Sequence, residues 1–303
     1  VEAGGVVSGR ARVAAPAKVN LFLRVLDRRE DGFHELETLF QAVSLADEVE
    51  VALVEGPEVA LELEGPELGP EEDNLAVRAA RAFLEASRLE TGVRVTLRKE
   101  IPAGAGLGGG SSDAAAVLRA LDRLTGSPLG PDALRAVGGR LGSDVPFFLG
   151  SSPLAAATGR GEALTPLDPL PATELLLVLP PLHVATADAY AALDGSRAGG
   201  SPEDGPRLPE APRSWEEVRG LAWNDFQAVV AGRTPEVARA LGALESAGGE
   251  PALLSGSGGA CFAFLPDATG AAPALARALG WRVLVVRTLE RLPAVTLGGE
   301  EGP

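Results

Sequence analysis

The chain has 303 residues, 46% of them hydrophobic, enough for two modest domains with cores of their own. A formal net charge of −15 argues against a nucleic-acid or acidic-membrane surface, and no apolar run approaches the roughly 20 residues of a membrane span. Cys261 is the only cysteine and His34 and His183 the only histidines, which excludes an intramolecular disulfide and any cysteine- or histidine-rich metal centre.

The opening "VEAGGVVSGRARV" has no apolar signal region, so the expected location is cytoplasmic. "RVAAPAKVNLFLRVL", "LETLFQAVSL" and "DEVEVALV" then carry strand patterns. A helix is expected from about Asn74 to Ser87. In "VRVTLRKEI" (93–101), Val93, Val95 and Leu97 alternate with Arg94, Thr96 and Arg98, a further strand. It feeds the glycine-dense "PAGAGLGGGSSDAAAVL" (102–118), where a helix starts with Ser112 as its cap and Asp113 in its first turn. Helices follow near 131–141 and 145–149, then a buried-type strand at 174–180 and a short helix at 186–193. A polar Gly/Pro loop is expected over 195–213. Helices around 215–231 and 235–246 precede the strands "PALLS" and "ACFAFLP", split by "GSGG". A helix at 269–279, the strand "WRVLVVRTL" and a disordered tail "GGEEGP" complete the chain. No internal repeat is present, and the pattern is α+β.

Strand, glycine loop and helix N-terminus together form an anion cradle, with free N–H groups and the positive end of the helix dipole facing the ligand. Gly104, Gly106 and Gly109 satisfy G-x-G-x-x-G. A dinucleotide fold would need a second strand ending in an acidic residue roughly twenty positions on; another turn and helix stand there instead. No lysine follows the last glycine, so this is not a Walker A loop either. Charge for a phosphate must come from elsewhere, and Lys18 and Lys99 are the only lysines. A lysine is a compact point charge where arginine is a broad planar fork. Taken singly, these features have plainer readings. The loop is a tight helix start, Asp144 a turn or helix cap before Pro146, and Lys18 a solvated strand residue.

Four stretches occur together: "PAKVNLFL" (16–23), the glycine loop, "LGSDVPFFLG" (141–150) and "LLSGSGGACF" (253–262). In combination they resemble the GHMP small-molecule kinases, over about residues 12–290. The resemblance implies an α+β chain with an ATP-binding domain of ribosomal S5-like fold over 1–160 and a ferredoxin-like domain over 161–303. "DGFHELETLF" and the long "GLGGGSS" resemble one branch of the family. That branch implies ATP- and Mg2+-dependent phosphorylation of the tertiary 2-hydroxyl of 4-diphosphocytidyl-2-C-methyl-D-erythritol, on the non-mevalonate route to isoprenoids.

By the same resemblance Lys18 and Asp144 are catalytic. The phosphates of ATP fall to Pro102, Ala103, Gly104, Ala105, Gly106, Leu107, Gly108, Gly109, Gly110, Ser111 and Ser112. Asn74 stands near the adenine or ribose, or is a plain helix cap. Lys99 suits an adenine contact, or is a strand-end surface lysine. Phe33, where the family more often has Tyr, stacks on the cytosine, since either ring offers a π-face. His34 addresses the base edge, Tyr190 supplies a second aromatic beside Thr186, and Asn20 lies near the reacting hydroxyl. No dedicated metal cage is implied; Ser111 or Ser112 could assist a Mg2+ that keeps most of its waters. "SGSGG" (255–259) faces the phosphate site and is also a hairpin turn.

The pairing of Lys18 with Asp144 has a physical rationale. An alcohol is about as weakly acidic as water, whose pKa is near 15.7, so a carboxylate of pKa about 4 accepts the proton only as the transition state forms. An ammonium about 4 Å from the developing alkoxide contributes roughly 4 kcal/mol at an effective dielectric near 20. Alternatives at this point are a homoserine- or mevalonate-type GHMP kinase, a nucleotide-binding protein without catalysis, and a dinucleotide dehydrogenase. A serine hydrolase has no support, because no G-x-S-x-G elbow is present.

Overall fold

Two long strands organise the chain. In a computed structural model that describes residues 9–197, 206–208 and 212–298, β1 (Arg10–Arg28) and β2 (His34–Val54) pair antiparallel along nearly their whole length. β2 merges the two strands expected separately, because no glycine or proline interrupts it. β1 has register shifts at Pro16/Ala17 and at Asn20/Phe22. Bulges of this kind re-aim side chains, and Lys18 and Asn20 lie between the two, on one face by the two-residue period of a strand.

β3 (Val59–Glu64) and β4 (Gly92–Arg98) run parallel, joined by α1 (Leu75–Ser87), which supplies the crossover a parallel pair requires. The sheet order is β12-β1-β2-β4-β3, where β12 is Thr296–Leu297; β5 (Leu154–Thr158) adds to β2, β6 (Ala163–Pro166) to β5, and β8 (Trp223–Asn224) to β1. Three of these strands, β6, β8 and β12, come from beyond residue 160. Alternation decides the faces. Val13, Val49, Val51, Val93, Val95 and Leu97 bury against α1, α2 (Gly109–Leu124), α3 (Gly130–Leu141) and α4 (Val145–Phe148). The opposite face carries the ion pairs Arg12–Glu50, Arg94–Glu62 and Arg98–Glu64.

A second, antiparallel sheet has the order β11-β7-β10-β9, from β7 (Glu174–Leu179), β9 (Ala252–Leu254), β10 (Cys261–Ala263) and β11 (Arg282–Arg287). Leu175, Leu177 and Leu179 pack towards Ala17, Val19 and Leu21 of β1, whereas Leu176 and Val178 face the other way, among residues of α5 (Thr186–Ser196), α7 (Phe226–Arg233), α8 (Pro235–Ser246) and α9 (Ala268–Leu279). Burial on both faces explains the unbroken apolar run of β7. Cys261 is a small buried core residue whose thiol pKa burial pushes up to about 12.

Several expectations need correction. The helix at 215–231 is two helices, α6 (Trp215–Leu221) and α7, because Trp223 and Asn224 extend to pair with Phe22 and Leu23. The helix at 186–193 continues to Ser196. α2 begins at Gly109, and Gly108, at φ +69°, turns the chain into it. Ser112 is therefore buried inside the helix instead of capping it, and Asp113 lies beyond the first turn. β3, β5, β6 and β12 had no counterpart in the sequence reading. The expected disordered tail after Gly298 and most of the loop at 195–213 lie outside the described residues. Among the described residues no helix is long and apolar enough to cross a membrane.

Candidate active site

The glycine loop sits where the two sheets meet. Gly106 has φ +81°, a left-handed conformation that side chains resist, and a Cβ there would collide with the Ser255 carbonyl oxygen. A Cβ on Gly258 would in turn collide with the Gly106 nitrogen. The loop and the 255–259 turn are thus interlocked backbone to backbone. Ala260 N–H donates to Ala105 O at 3.0 Å, Ser255 Oγ to Gly106 O at 3.0 Å, and Lys18 N–H to Leu107 O at 2.9 Å. Part of the glycine density therefore serves close approach by the protein's own backbone. Asn224 secures the turn, donating from Nδ2 to Leu254 O and Gly256 O.

Behind the loop opens a cavity of about 780 Å³. Of the residues singled out from the sequence, Lys18, Asn20, Asn74, Lys99, Pro102 to Ser111, Asp144, Thr186 and Tyr190 line it, while Ser112, Phe33 and His34 do not. Thr38, Phe40, Asp113, Ser143, Arg160 and Phe226 join the lining without having been singled out for it, and Ser257 of the expected "SGSGG" turn lines it too. Asn74 both lines the cavity and caps α1, its Oδ1 accepting from Ala76 N–H at 2.9 Å.

Lys18 Nζ lies 3.6 Å from Asp144 Oδ2 and donates to Asn20 Oδ1 at 2.6 Å. Asn20 Nδ2 donates to Thr38 Oγ1 at 2.8 Å, and the Thr38 hydroxyl donates to Phe22 O at 2.7 Å. The chain of bonds fixes the amide. Because the Thr38 proton is committed to a carbonyl, its oxygen must accept, so Asn20 turns its NH2 to Thr38 and its oxygen to Lys18. Asp144 occupies the cap position of α4, yet its side chain caps nothing there, which leaves the carboxylate facing Lys18. Burial lowers the Lys18 pKa from the usual lysine value, with the Asp144 charge pulling it back up.

Lys99 does not project from its strand end. Its ammonium is buried between Asp113, at 2.7 Å, and Asp47. Asp47 Oδ1 also accepts from Glu100 N–H at 2.6 Å and Ile101 N–H at 2.8 Å, which ties down the approach to the glycine loop. Two carboxylates share one cation. Burial pulls the Lys99 pKa down, but Asp113 and Asp47 outweigh it and raise it. Asp113 is pushed up to about 7, chiefly by burial, with Lys99 opposing and Asp47 adding to the rise. Asp113 Oδ1 and Ser112 Oγ are buried without a hydrogen-bond partner. Such orphaned hard oxygens suit a cation that keeps several of its own waters. Among the described residues no cluster of three or more His, Cys, Asp or Glu could hold a metal ion.

The expected base-binding residues divide into two contacts. Phe33 is 54% exposed, with the Arg160 guanidinium 4.9 Å from its ring centre. His34 instead stacks on Tyr190, at 5.0 Å and 24°, and its Nε2 lies 2.9 Å from Asp194 Oδ1. Tyr190 meets Phe226 edge-on, and burial, with Asp144 and Asp194 nearby, pushes its phenol up to about 12. Thr186 Oγ1 accepts from Ser257 Oγ at 3.2 Å, joining the start of α5 to the glycine turn.

Two family models match the chain: the GHMP kinases N terminal domain over residues 74–160 and the GHMP kinases C terminal domain over 211–279. A 4-diphosphocytidyl-2-C-methyl-D-erythritol kinase from Citrifermentans bemidjiense is 41% identical, covering 92% of this chain and 99% of the relative. One from Anaeromyxobacter dehalogenans is 44% identical, covering 93% and 92%. A crystal structure of 4-(cytidine 5'-diphospho)-2C-methyl-D-erythritol kinase superposes with a TM-score of 0.75 at 42% identity, over 91% of this chain and 98% of that one. Both halves of the fold and the interlocked loops between them are accounted for together: the chain belongs to the GHMP kinase family and is a phosphotransferase.

Proposed function

We propose that the enzyme transfers the γ-phosphoryl group of ATP to the tertiary 2-hydroxyl of 4-diphosphocytidyl-2-C-methyl-D-erythritol, in the cytoplasm. The observation that carries this reading is identity above four-tenths, over nine-tenths of the chain, to proteins bearing that activity in their names. The site supports it. Asp144 receives the hydroxyl proton as the P–O bond forms, and Lys18, buried and charged beside it, stabilises the developing alkoxide. Asn20 holds the ammonium in place.

The glycine loop and the start of α2 receive the triphosphate through backbone N–H groups. Asp113, which lines the cavity with its Oδ1 unpartnered, provides an oxygen that would hold Mg2+, which neutralises phosphate charge when bound. Tyr190 on the cavity wall, His34 stacked on it, and Phe33 beside Arg160 are the aromatic residues that take the cytosine.

The test is ADP release from Mg-ATP with three separate acceptors: the cytidylyl-methylerythritol diphosphate, homoserine and mevalonate. Turnover with the first alone is expected. Turnover with either of the others in its place would keep the phosphotransferase and overturn the acceptor.

A further inference from the structure

Charge in the cavity is unevenly committed. Among the described residues its lining contains three cations, Lys18, Lys99 and Arg160. Lys99 is held between two buried carboxylates and Lys18 faces Asp144. Arg160 differs in kind. Its ionic neighbour is Glu162 at 3.6 Å, with both side chains more than a third exposed, and an exposed pair of this sort holds its partners weakly.

The seat of Arg160 is firm. Leu36 N–H donates to Gly159 O at 2.7 Å, and Gly159 N–H donates to Glu35 Oε1 at 2.8 Å. The turn carrying Arg160 is therefore pinned to the start of β2, directly after Phe33 and His34. The guanidinium lies over the Phe33 ring, a stack that orients its planar fork of N–H donors. Arg29, also near this corner, is engaged with Glu35 at 2.8 Å and Asp31 at 3.3 Å and does not line the cavity.

We infer that Arg160 is the residue that binds the diphosphate of the acceptor, its guanidinium exchanging Glu162 for phosphate oxygens while Phe33 holds it in plane. The inference rests on the cytidylyl-diphosphate reading of the substrate. It follows from three facts taken together: a diphosphate needs a cation, two cavity cations already face buried or catalytic carboxylates, and the third stands beside the aromatic that would carry the base. An arginine fork matches a diphosphate in two-pronged geometry, which a point charge cannot.

The experiment compares CDP with cytidine by calorimetry, with a non-hydrolysable ATP analogue saturating the nucleotide site. Wild type, Arg160→Gln and Arg160→Lys are measured, together with steady-state kinetics on the cytidylyl acceptor. Wild type is expected to bind CDP about tenfold or more tighter than cytidine, as a charge-assisted contact implies. Arg160→Gln should remove most of that difference while leaving cytidine affinity in place, and its loss of kcat/KM should sit in KM for the acceptor, not KM for ATP. Arg160→Lys should recover only part. If CDP and cytidine bind Arg160→Gln with the wild-type ratio, the inference is overturned and the substrate reading stands. If wild type binds neither nucleotide and does not turn over the cytidylyl acceptor, both fall.

Discussion

The ammonium of Lys18 faces the carboxylate of Asp144 at 3.6 Å, although the first belongs to a strand near the start of the chain and the second to the turn before α4. Their separation leaves room for a hydroxyl to approach both. Asp144→Asn should keep the shape of the site and lower kcat by roughly 10²–10⁴, the usual contribution of a positioned base. ATP affinity, measured by calorimetry, should change little. Because burial lowers the Lys18 pKa, kcat should fall on the alkaline side below the ordinary lysine value of about 10.4. A flat profile through that range would remove Lys18 as the required cation.

Thr38 is hydrogen-bonded to neither of these residues but sets the orientation of Asn20, whose Oδ1 accepts from Lys18. Thr38→Val has nearly the same shape and loses the acceptor, so the Asn20 amide is free to turn its NH2 towards Lys18. A drop in kcat of about tenfold is expected, on the scale of one hydrogen bond. Thr38→Ser should restore most of it, whereas equal losses in both variants would point to packing instead.

The interlock of the two glycine turns predicts a specific hierarchy of stability. Gly106→Ala must displace the Ser255 carbonyl and hold alanine at positive φ, which together cost about 3 kcal/mol. Gly126→Ala meets nothing within 4 Å at φ +78° and should cost only the backbone share, about 1 kcal/mol. Urea unfolding of the two variants checks the order, and equal losses would contradict the interlock.

Asp113 gives a pH-dependent signature. Its folded pKa of about 7 lies above the unfolded value of about 3.9, so the folded state binds the extra proton between them. Stability from this group is fully present below about pH 4 and is lost as pH rises towards 7. Asp113→Asn lacks that loss. Its urea midpoint relative to wild type should therefore move in the variant's favour from pH 5 to pH 8, and a shift the other way would show Lys99 holding the carboxylate ionised.

Much of this architecture is legible in the sequence because alternation and glycine placement are local signals. β1, β2 and β4 of the first sheet, α1 with its Asn74 cap and the strand–loop–helix unit announce themselves in this way. What is not legible depends on distant partners. Nothing near Lys99 says that Asp47 and Asp113 converge on it, and nothing around Trp223 says that two residues will leave a helical run to pair with β1. Ser112 looks like a cap because serine before an alanine run usually is one, but Gly108 turns the chain first. Thr38 was within reach: "HELETLF" alternates, and an inward-facing threonine opposite an asparagine-bearing strand needs a polar partner. Arg160 carried no signal of its own, since its meaning comes from Phe33.

One strand runs through all of it. Ala11, Val13 and Ala15 of β1 belong to the apolar cluster beneath α2, Ala17, Val19, Leu21 and Phe22 to the cluster between the sheets, and Leu23 and Val25 to the cluster of the second sheet. No partial opening can expose this strand without breaching the seams on both sides of it. Amide hydrogens along 17–25 should therefore exchange with solvent only when the entire molecule opens, at the free energy of global unfolding. On that expectation Lys18 and Asn20 would be anchored to the slowest-exchanging backbone in the protein.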